Sequence, residues 1–258
     1  MSSSKNLTSA ALLVAAMTLT LSLSAGAEVV DRGNLRVSFT GKLSPRTLPR
    51  SGAAPISVTV AAKIAATAGA KPPQLRRMTI AINANGRLDP GALPRCTVEQ
   101  IQPATTEGAL EACRGSLVGR GSFSARVLLP EQTPFPSAGE VYAFNGTYKG
   151  RPAILAHVYG TEPAPTSYTL PFQITRGKGG FGTLLTASLP QVTSEWGYVT
   201  GLSLALAGRG KKGPYLSAGC PAPEGFPGAV FPFARSVFAF ADGKALSATL
   251  TRSCKVRG

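Results

Sequence analysis

Apolar and polar residues alternate along most of the chain after residue 34, and a period of two predicts β-strands. At the start of the first such run, Leu35, Val37 and Phe39 alternate with basic and hydroxyl side chains. One face of this strand is therefore expected to be buried and the other exposed to water. Further strands are expected around 56–64, 78–82, 123–129, 140–148, 153–159, 168–175, 181–189, 198–207, 229–241 and 244–256.

Turn residues between these runs predict how some strands are joined. Asp242-Gly243 separates two alternating runs and predicts a β-hairpin with a type I′ turn, since that turn needs positive φ at both central residues. Asn145-Gly146 is a second hairpin candidate. Gly119 and Gly121 indicate a bulge or tight bend at the start of a strand.

One segment between the third and fourth strands has helical character. Thr97 and Gln100 match the spacing of a capping box, and Pro103 then ends the turn. A second short helical turn is expected over Glu107 to Cys113. This segment is expected to pack on the sheet as a short excursion.

About eleven strands and very little helix predict an all-β fold. We expect a β-sandwich of about eleven strands with one short disulfide-closed helical excursion. A single domain over 28–258 is expected, and the alternative is two β subdomains, 28–133 and 134–258, separated by the proline-rich stretch 130–139.

The first 27 residues predict a secretory signal peptide. Lys5 precedes an uncharged apolar run from Ala10 to Leu23, and Ala25-Gly26-Ala27 fits the small-residue rule for cleavage. The run is shorter than the roughly 20 apolar residues that a membrane-spanning helix needs. We therefore expect a secreted chain, extracellular or in the cell envelope, that begins at Glu28 and has no transmembrane span.

Export changes the interpretation of the four cysteines, because an oxidising environment favours disulfides over thiols and metal sites. Four cysteines allow three pairings. Pairs Cys96 with Cys113 and Cys220 with Cys254 are preferred because each closes a local unit. The short Cys-x-x-Cys spacing typical of zinc sites does not occur, so no metal is predicted.

The chain is strongly basic, with 27 Lys and Arg against 12 Asp and Glu and a formal charge of +15. Removal of residues 1–27 takes away only Lys5, which leaves +14. Such a field attracts anionic glycans and lipid headgroups, and secretion makes intracellular nucleic acid an unsuitable partner. Two glycine-rich basic loops are the predicted contacts for an anion. Their cationic residues are Arg176, Lys178, Arg209, Lys211 and Lys212.

Few residues are candidates for catalysis. His157 is the single histidine, and it lies in a run that is apolar on both faces, so a packed, hydrogen-bonded imidazole is expected. Ser217-Ala218-Gly219-Cys220 resembles the nucleophile motif of L,D-transpeptidases, exported enzymes that cross-link peptidoglycan through a cysteine. That family has a His-Gly pair shortly before the motif, whereas His157 lies far upstream and is followed by Val158.

Other chemistry is not singled out by the sequence. No two carboxylates have a spacing that selects them as a glycosidase pair. Trp196 and Tyr198 are candidates for stacking on a sugar, although an aromatic residue beside a strand is more often part of the core. No cofactor is predicted.

Several short segments resemble a group of secreted proteins from high-GC actinobacteria that has no assigned activity. The resemblance implies export and a disulfide-bridged β-fold and adds no catalytic residue. The segments are 48–50, 93–96, 118–121, 143–145, 220–223 and 249–252.

These observations favour a secreted, non-catalytic binding protein of the cell envelope or extracellular space, with an anionic glycan or lipid as ligand. The alternatives are a secreted cell-wall enzyme, either a hydrolase or a transpeptidase-like protein using Cys220 and His157, and a purely structural or interaction module.

Overall fold

The computed structural model shows a fold built mainly of strands, with one small helical segment. The structure does not describe residues 1–26 of the predicted signal peptide. Three residues named above also lie outside the described part of the chain, namely Trp196, Lys211 and Lys212. The structure describes residues 27–67, 69–128, 131, 133–161, 165–189, 197–210 and 213–257.

Twelve strands of five or more residues form the body of the described chain. They are β1 Glu28–Arg32, β2 Leu35–Ser44, β5 Ser57–Ala66, β6 Leu75–Asn83, β8 Leu117–Val127, β9 Phe135–Tyr148, β10 Arg151–Gly160, β11 Thr166–Arg176, β12 Phe181–Ser188, β13 Gly197–Leu206, β17 Gly228–Phe240 and β18 Ala245–Val256. Six shorter strands connect or cap them. These are β3 Thr47–Leu48, β4 Ala54–Pro55, β7 Gly86–Leu88, β14 Arg209–Gly210, β15 Gly213–Pro214 and β16 Leu216–Ala218.

The longer strands and β3 form one sheet. Its order is β1-β2-β5-β13-β8-β9-β10-β11-β12-β6-β17-β18-β3. Every neighbouring pair is antiparallel except β18 and β3. Strands from before and after residue 133 pair directly, since β5 lies beside β13 and β6 beside β17. The sheet is therefore continuous across the proline-rich stretch at 130–139.

This sheet curls over on itself, so that its inner face encloses the main core. Phe39 of β2 meets Phe238 of β17 edge to face, with 6.2 Å between ring centroids, although these strands are far apart in the sheet order. The alternation predicted for the run that begins at Leu35 is confirmed, because Leu35, Val37 and Phe39 are all buried. The all-β prediction is confirmed, and the two facing layers come from one curled sheet.

The two edges of the curl meet where β18 lies against β1 and β2. The Nε atom of Arg252 donates to the carbonyl oxygen of Gly41 at 2.8 Å, and Nη1 of Arg32 donates to the carbonyl oxygen of Ala245 at 3.2 Å. We call this line of contact the seam. Arg252 is buried, so its hydrogen bond to a backbone carbonyl lies in a place with little water to replace it.

The helical excursion lies on the outer face of the sheet, over β9 and β10. It consists of α1 (Val98–Ile101), α2 (Thr106–Cys113) and a 3₁₀ turn at Arg114–Ser116. The Gln100 side chain accepts a hydrogen bond from the Thr97 N–H at 2.9 Å, as the capping-box prediction requires. The disulfide Cys96–Cys113 closes the segment, and Cys220–Cys254 is also present, so both predicted pairings are confirmed.

Two turn predictions need correction. Asn145-Gly146 lies inside β9, and the adjacent turn is Lys149-Gly150, whose φ values of 49° and 72° fit a type I′ turn. The Asp242-Gly243 hairpin exists, but only Gly243, at φ 78°, has positive φ among these two. The N–H of Gly243 bonds to Phe240 and the N–H of Phe240 bonds to Lys244, which is the pattern of a type I turn followed by a bulge.

The seam generates a prediction about stability. Arg252→Ala leaves the Gly41 carbonyl without its donor in a buried position, so we expect the free energy of unfolding to fall by about 2 kcal/mol. Lys255→Ala is the matched control, because Lys255 is on the same strand and exposed, and it should change stability by less than about 0.5 kcal/mol. Denaturant unfolding of both variants measures the difference. Equal effects would show that Arg252 does not hold the seam.

Candidate functional site

A large cavity lies inside the curl, at one end of the sheet. Its volume is about 880 Å³. The cavity reaches the strand ends at Val127 of β8 and Gly197 of β13, and it also reaches Thr166 of β11. We call this end of the sheet the mouth end. The opposite end, which we call the closed end, is covered by a small sheet of β4, β16 and β7.

The cavity wall is apolar because strand alternation turns one set of side chains inward. On β8 the inward residues are Phe123, Ala125 and Val127, which alternate with Ser122, Ser124 and Arg126. The small Ala125 and, on β5, Ala62 take up little of the interior. The other aliphatic, methionine and phenylalanine residues of the wall are Ile64, Leu75, Met78, Val158, Leu170, Leu189, Val199, Leu202 and Phe238.

A few polar side chains border the cavity near the mouth end. They belong to Gln74, Arg126, Thr166, Tyr168 and Tyr198. The Gln74 amide donates to the carbonyl oxygen of Gly197, which joins β13 to the segment before β6. Burial raises the pKa of Tyr168 to about 12, so its hydroxyl is neutral at physiological pH and can serve as a hydrogen-bond donor.

Among the described residues, the rim of the mouth end carries more cations than carboxylates, and Glu131 between β8 and β9 is an exposed carboxylate there. Among the described residues the ion pairs are Arg36 with Asp31 and Lys244 with Asp242. Hydrogen bonding to Arg36 lowers the pKa of Asp31, and hydrogen bonding to Lys244 lowers that of Asp242, so both carboxylates are ionised and matched. The exposed cations Lys71 and Arg126 have no carboxylate partner among the described residues.

A second, smaller cavity of about 80 Å³ lies deeper, toward the closed end. Its wall includes Phe39, Leu43 and Phe233. Ala62, Met78 and Leu202 line both cavities. These three residues, which we call the partition, therefore separate the large space from the small one.

The predicted anion-binding loops lie at the closed end. Arg176 and Lys178 are in the hairpin between β11 and β12, and Arg209 begins β14. β11 and β13 are four strand spacings apart in the sheet, or roughly 19 Å along its surface. With Lys211 and Lys212 outside the described residues, the prediction that all five cations gather around one ligand stays a prediction.

The two catalytic candidates lie on different faces of the sheet. Cys220 is buried with the inner core and is bonded to Cys254, so it has no thiol. His157 is on β10, opposite Tyr142 and Thr169 in the strand register, and none of its surface is exposed. The imidazole is packed as predicted, but the predicted hydrogen bond is not observed, because no bond of ordinary length joins the ring to the described residues.

Tyr198, a sequence candidate for stacking on a sugar, borders the large cavity. Alternation along the sequence did not indicate that this residue lies at a cavity. No group of three His, Cys, Asp or Glu side chains in the described chain is arranged to hold a metal ion. Within the same residues, no helix has the length and apolar character needed to cross a membrane.

Comparison with known proteins does not add to these observations. The chain matches no protein-family model, no curated protein and no solved structure.

His157 generates a prediction about pH. Burial lowers the pKa of His157 below its ordinary value near 6.5, against a smaller opposing effect of the Ile101 backbone. The unfolded chain then takes up a proton at a higher pH than the folded chain, so stability is complete above about pH 6.5 and falls as the pH decreases. Denaturant unfolding between about pH 7 and about pH 5 should show a loss of up to ~1.4 kcal/mol per pH unit.

The variant His157→Leu is the control for this prediction. Because the chain has one histidine, the variant should show a flat stability over the same pH interval. A slope as steep as that of the wild type would mean that another group is responsible.

Proposed function

We propose that this chain is a secreted, non-catalytic binding protein of the cell envelope or extracellular space, and that its ligand is an amphiphile with a long apolar chain and an anionic head. The observation that carries the proposal is the apolar cavity of about 880 Å³ inside the curled sheet. Ligand pockets in proteins commonly have volumes of about 300–1,000 Å³ and mostly apolar walls. The cavity has the size and the chemistry of such a pocket.

An apolar chain is the part of a ligand that this wall recognises. Transfer of a methylene group from water into an apolar site is favourable by about 0.8 kcal/mol. A glycan would place many hydroxyl groups against Phe123, Leu170 and Val199, where they would lose their hydrogen bonds to water. Two ligand classes are expected from the sequence, an anionic glycan and a lipid, and the apolar cavity therefore favours the lipid.

The anionic head is supported by the charges at the mouth end. Lys71 and Arg126 are exposed there without a carboxylate partner among the described residues, whereas Asp31 and Asp242 are already paired. Exposed charges of this kind contribute modest energy and are screened by salt, with a Debye length of about 10 Å at 0.1 M. They orient the ligand, and the apolar wall supplies most of the affinity.

The polar side chains that border the cavity fit a binding role better than a catalytic one. The polar side chains at the cavity are an amide, a guanidinium, a hydroxyl and two phenols, which do not form a nucleophile with its base. Cys220 is held in a disulfide, and His157 lies on the outer face of the sheet. Neither residue of the transpeptidase alternative borders the cavity, and no cofactor is needed for binding.

Secretion is supported by the disulfides and by the amino-terminal segment. Disulfides such as Cys96–Cys113 and Cys220–Cys254 persist in oxidising environments. The segment 1–27 has the charge, length and small-residue ending of a signal peptide. An exported carrier for an amphiphile is consistent with both features.

A cavity-filling substitution tests the proposal. Ala125→Trp projects an indole into the large cavity, so we expect the affinity for a fluorescent long-chain fatty acid to fall at least about tenfold, the equivalent of about 1.4 kcal/mol. Ala138→Trp is the matched control, because Ala138 is exposed on β9, opposite Ser124 in the register beside Ala125. It should leave the affinity unchanged. Fluorescence titration and displacement by unlabelled palmitate measure both.

Two outcomes would contradict the proposal. Absence of any fatty-acid binding to the wild-type chain would exclude this ligand class. Binding of a soluble anionic glycan that is lost on charge reversal of Arg176 and Lys178, with no effect of Ala125→Trp, would assign the function to the basic loops. Salt titration would then show a steep loss of affinity, since such binding is purely electrostatic.

A further inference from the structure

The large cavity ends at the partition formed by Ala62, Met78 and Leu202. Ala62 and Leu202 are paired across β5 and β13, so they lie side by side on one wall. Met78 is on β6, which is separated from β13 in the sheet by five intervening strands and therefore belongs to the facing wall of the curl. All three residues also line the small cavity beyond. The apolar interior thus narrows at the partition and continues beyond it as the small cavity.

We propose that the partition, and Met78 above all, sets the maximum length of the apolar chain that this protein accepts. This inference rests on the proposed function, since it concerns the same cavity. A chain that enters at the mouth end passes Tyr198 and Val199 and meets the Met78 side chain after the large cavity is filled. The cavity beyond the partition has a volume of only about 80 Å³, so additional methylene groups of a longer chain would make few apolar contacts.

The side chains at the partition suit this role. Met78 is almost fully buried, and its unbranched thioether fills an irregular gap without a polar requirement. Ala62, also buried, has a small side chain and lines the same level of the interior from the facing wall. A change of volume at either position therefore moves the end of the cavity in a predictable direction.

A homologous series of saturated fatty acids, from octanoate to docosanoate, provides the test. For the wild type, affinity should rise by up to about fourfold for each added methylene group, the equivalent of ~0.8 kcal/mol, and then level off at one chain length. Met78→Ala joins the two cavities, so the affinity should level off at a longer chain. Ala62→Val adds bulk at the partition and should shift the levelling to a shorter chain.

Leu189→Ala is the control for a general loosening of the cavity. Leu189 lines the large cavity only, next to the mouth end of β12, so its removal should weaken binding of all chains without moving the length at which affinity levels off. Thermal unfolding of each variant shows whether it is folded. If Met78→Ala does not fold, Ala62→Val alone decides.

The outcomes separate this inference from the proposed function. A wild type that binds fatty acids, with variants that keep its limiting length, would overturn the role of the partition and leave the binding function intact. A wild type that binds no member of the series would overturn both. A limiting length that moves in opposite directions in the two variants would support the inference.

Discussion

Closure of the curled sheet is the constraint on which the rest of the structure depends. The seam joins strands that are more than two hundred positions apart in the chain, through Arg252 and the Gly41 carbonyl near the closed end and through Arg32 and Ala245 near the mouth end. Gly41 allows this approach, because a Cβ atom there would lie 2.7 Å from a methyl group of Leu250 and 3.3 Å from the Thr59 carbonyl oxygen. Without the seam, the inner face of β2 and β18 would be exposed to water. The core and the cavity exist because these edges meet.

The interior enclosed by the seam is filled unevenly. Toward the closed end, large side chains such as Phe39 and Phe233 fill the interior and leave a cavity of only about 80 Å³. The cavity at the mouth end has a volume of about 880 Å³. Protein interiors are normally close-packed, and an unfilled apolar volume forfeits dispersion contacts and lowers stability. A space of this size is therefore expected to have a use that offsets its cost. Binding of an apolar chain would restore the contacts that the wall lacks.

The local parts of this fold could be predicted from the sequence, and the parts that depend on distant contacts could not. Alternation located β2 and the capping box located α1, because both depend on side chains a few residues apart. Asn145-Gly146 misled the turn prediction because tertiary contacts decide its conformation: the Asn145 amide donates to the carbonyls of Pro90, Leu93 and Pro94. The cavity could not be predicted, since period two shows that Ala62 and Ala125 face inward but not what lies opposite them. Of the predicted loop cations, Arg176, Lys178 and Arg209 belong to loops at the closed end. Their charge alone could not show how far they lie from the cavity.

The two disulfides give the two ends of the sheet different constraints. Cys220–Cys254 ties the segment after the capping strand β16 to β18, and Cys96–Cys113 closes the helical excursion, which is joined to β9 at Gly146 near its carboxyl end. Both lie toward the closed end, where β9 finishes and where the small sheet covers the core. At the mouth end, the described strands are held by hydrogen bonds such as those of Gln74 and Arg32, and by exposed ion pairs. Hydrogen bonds and exposed ion pairs open and re-form far more readily than disulfides, so local opening is expected first at the mouth end. Under the proposed function, the ligand would enter at this end while the closed end and the partition keep their geometry.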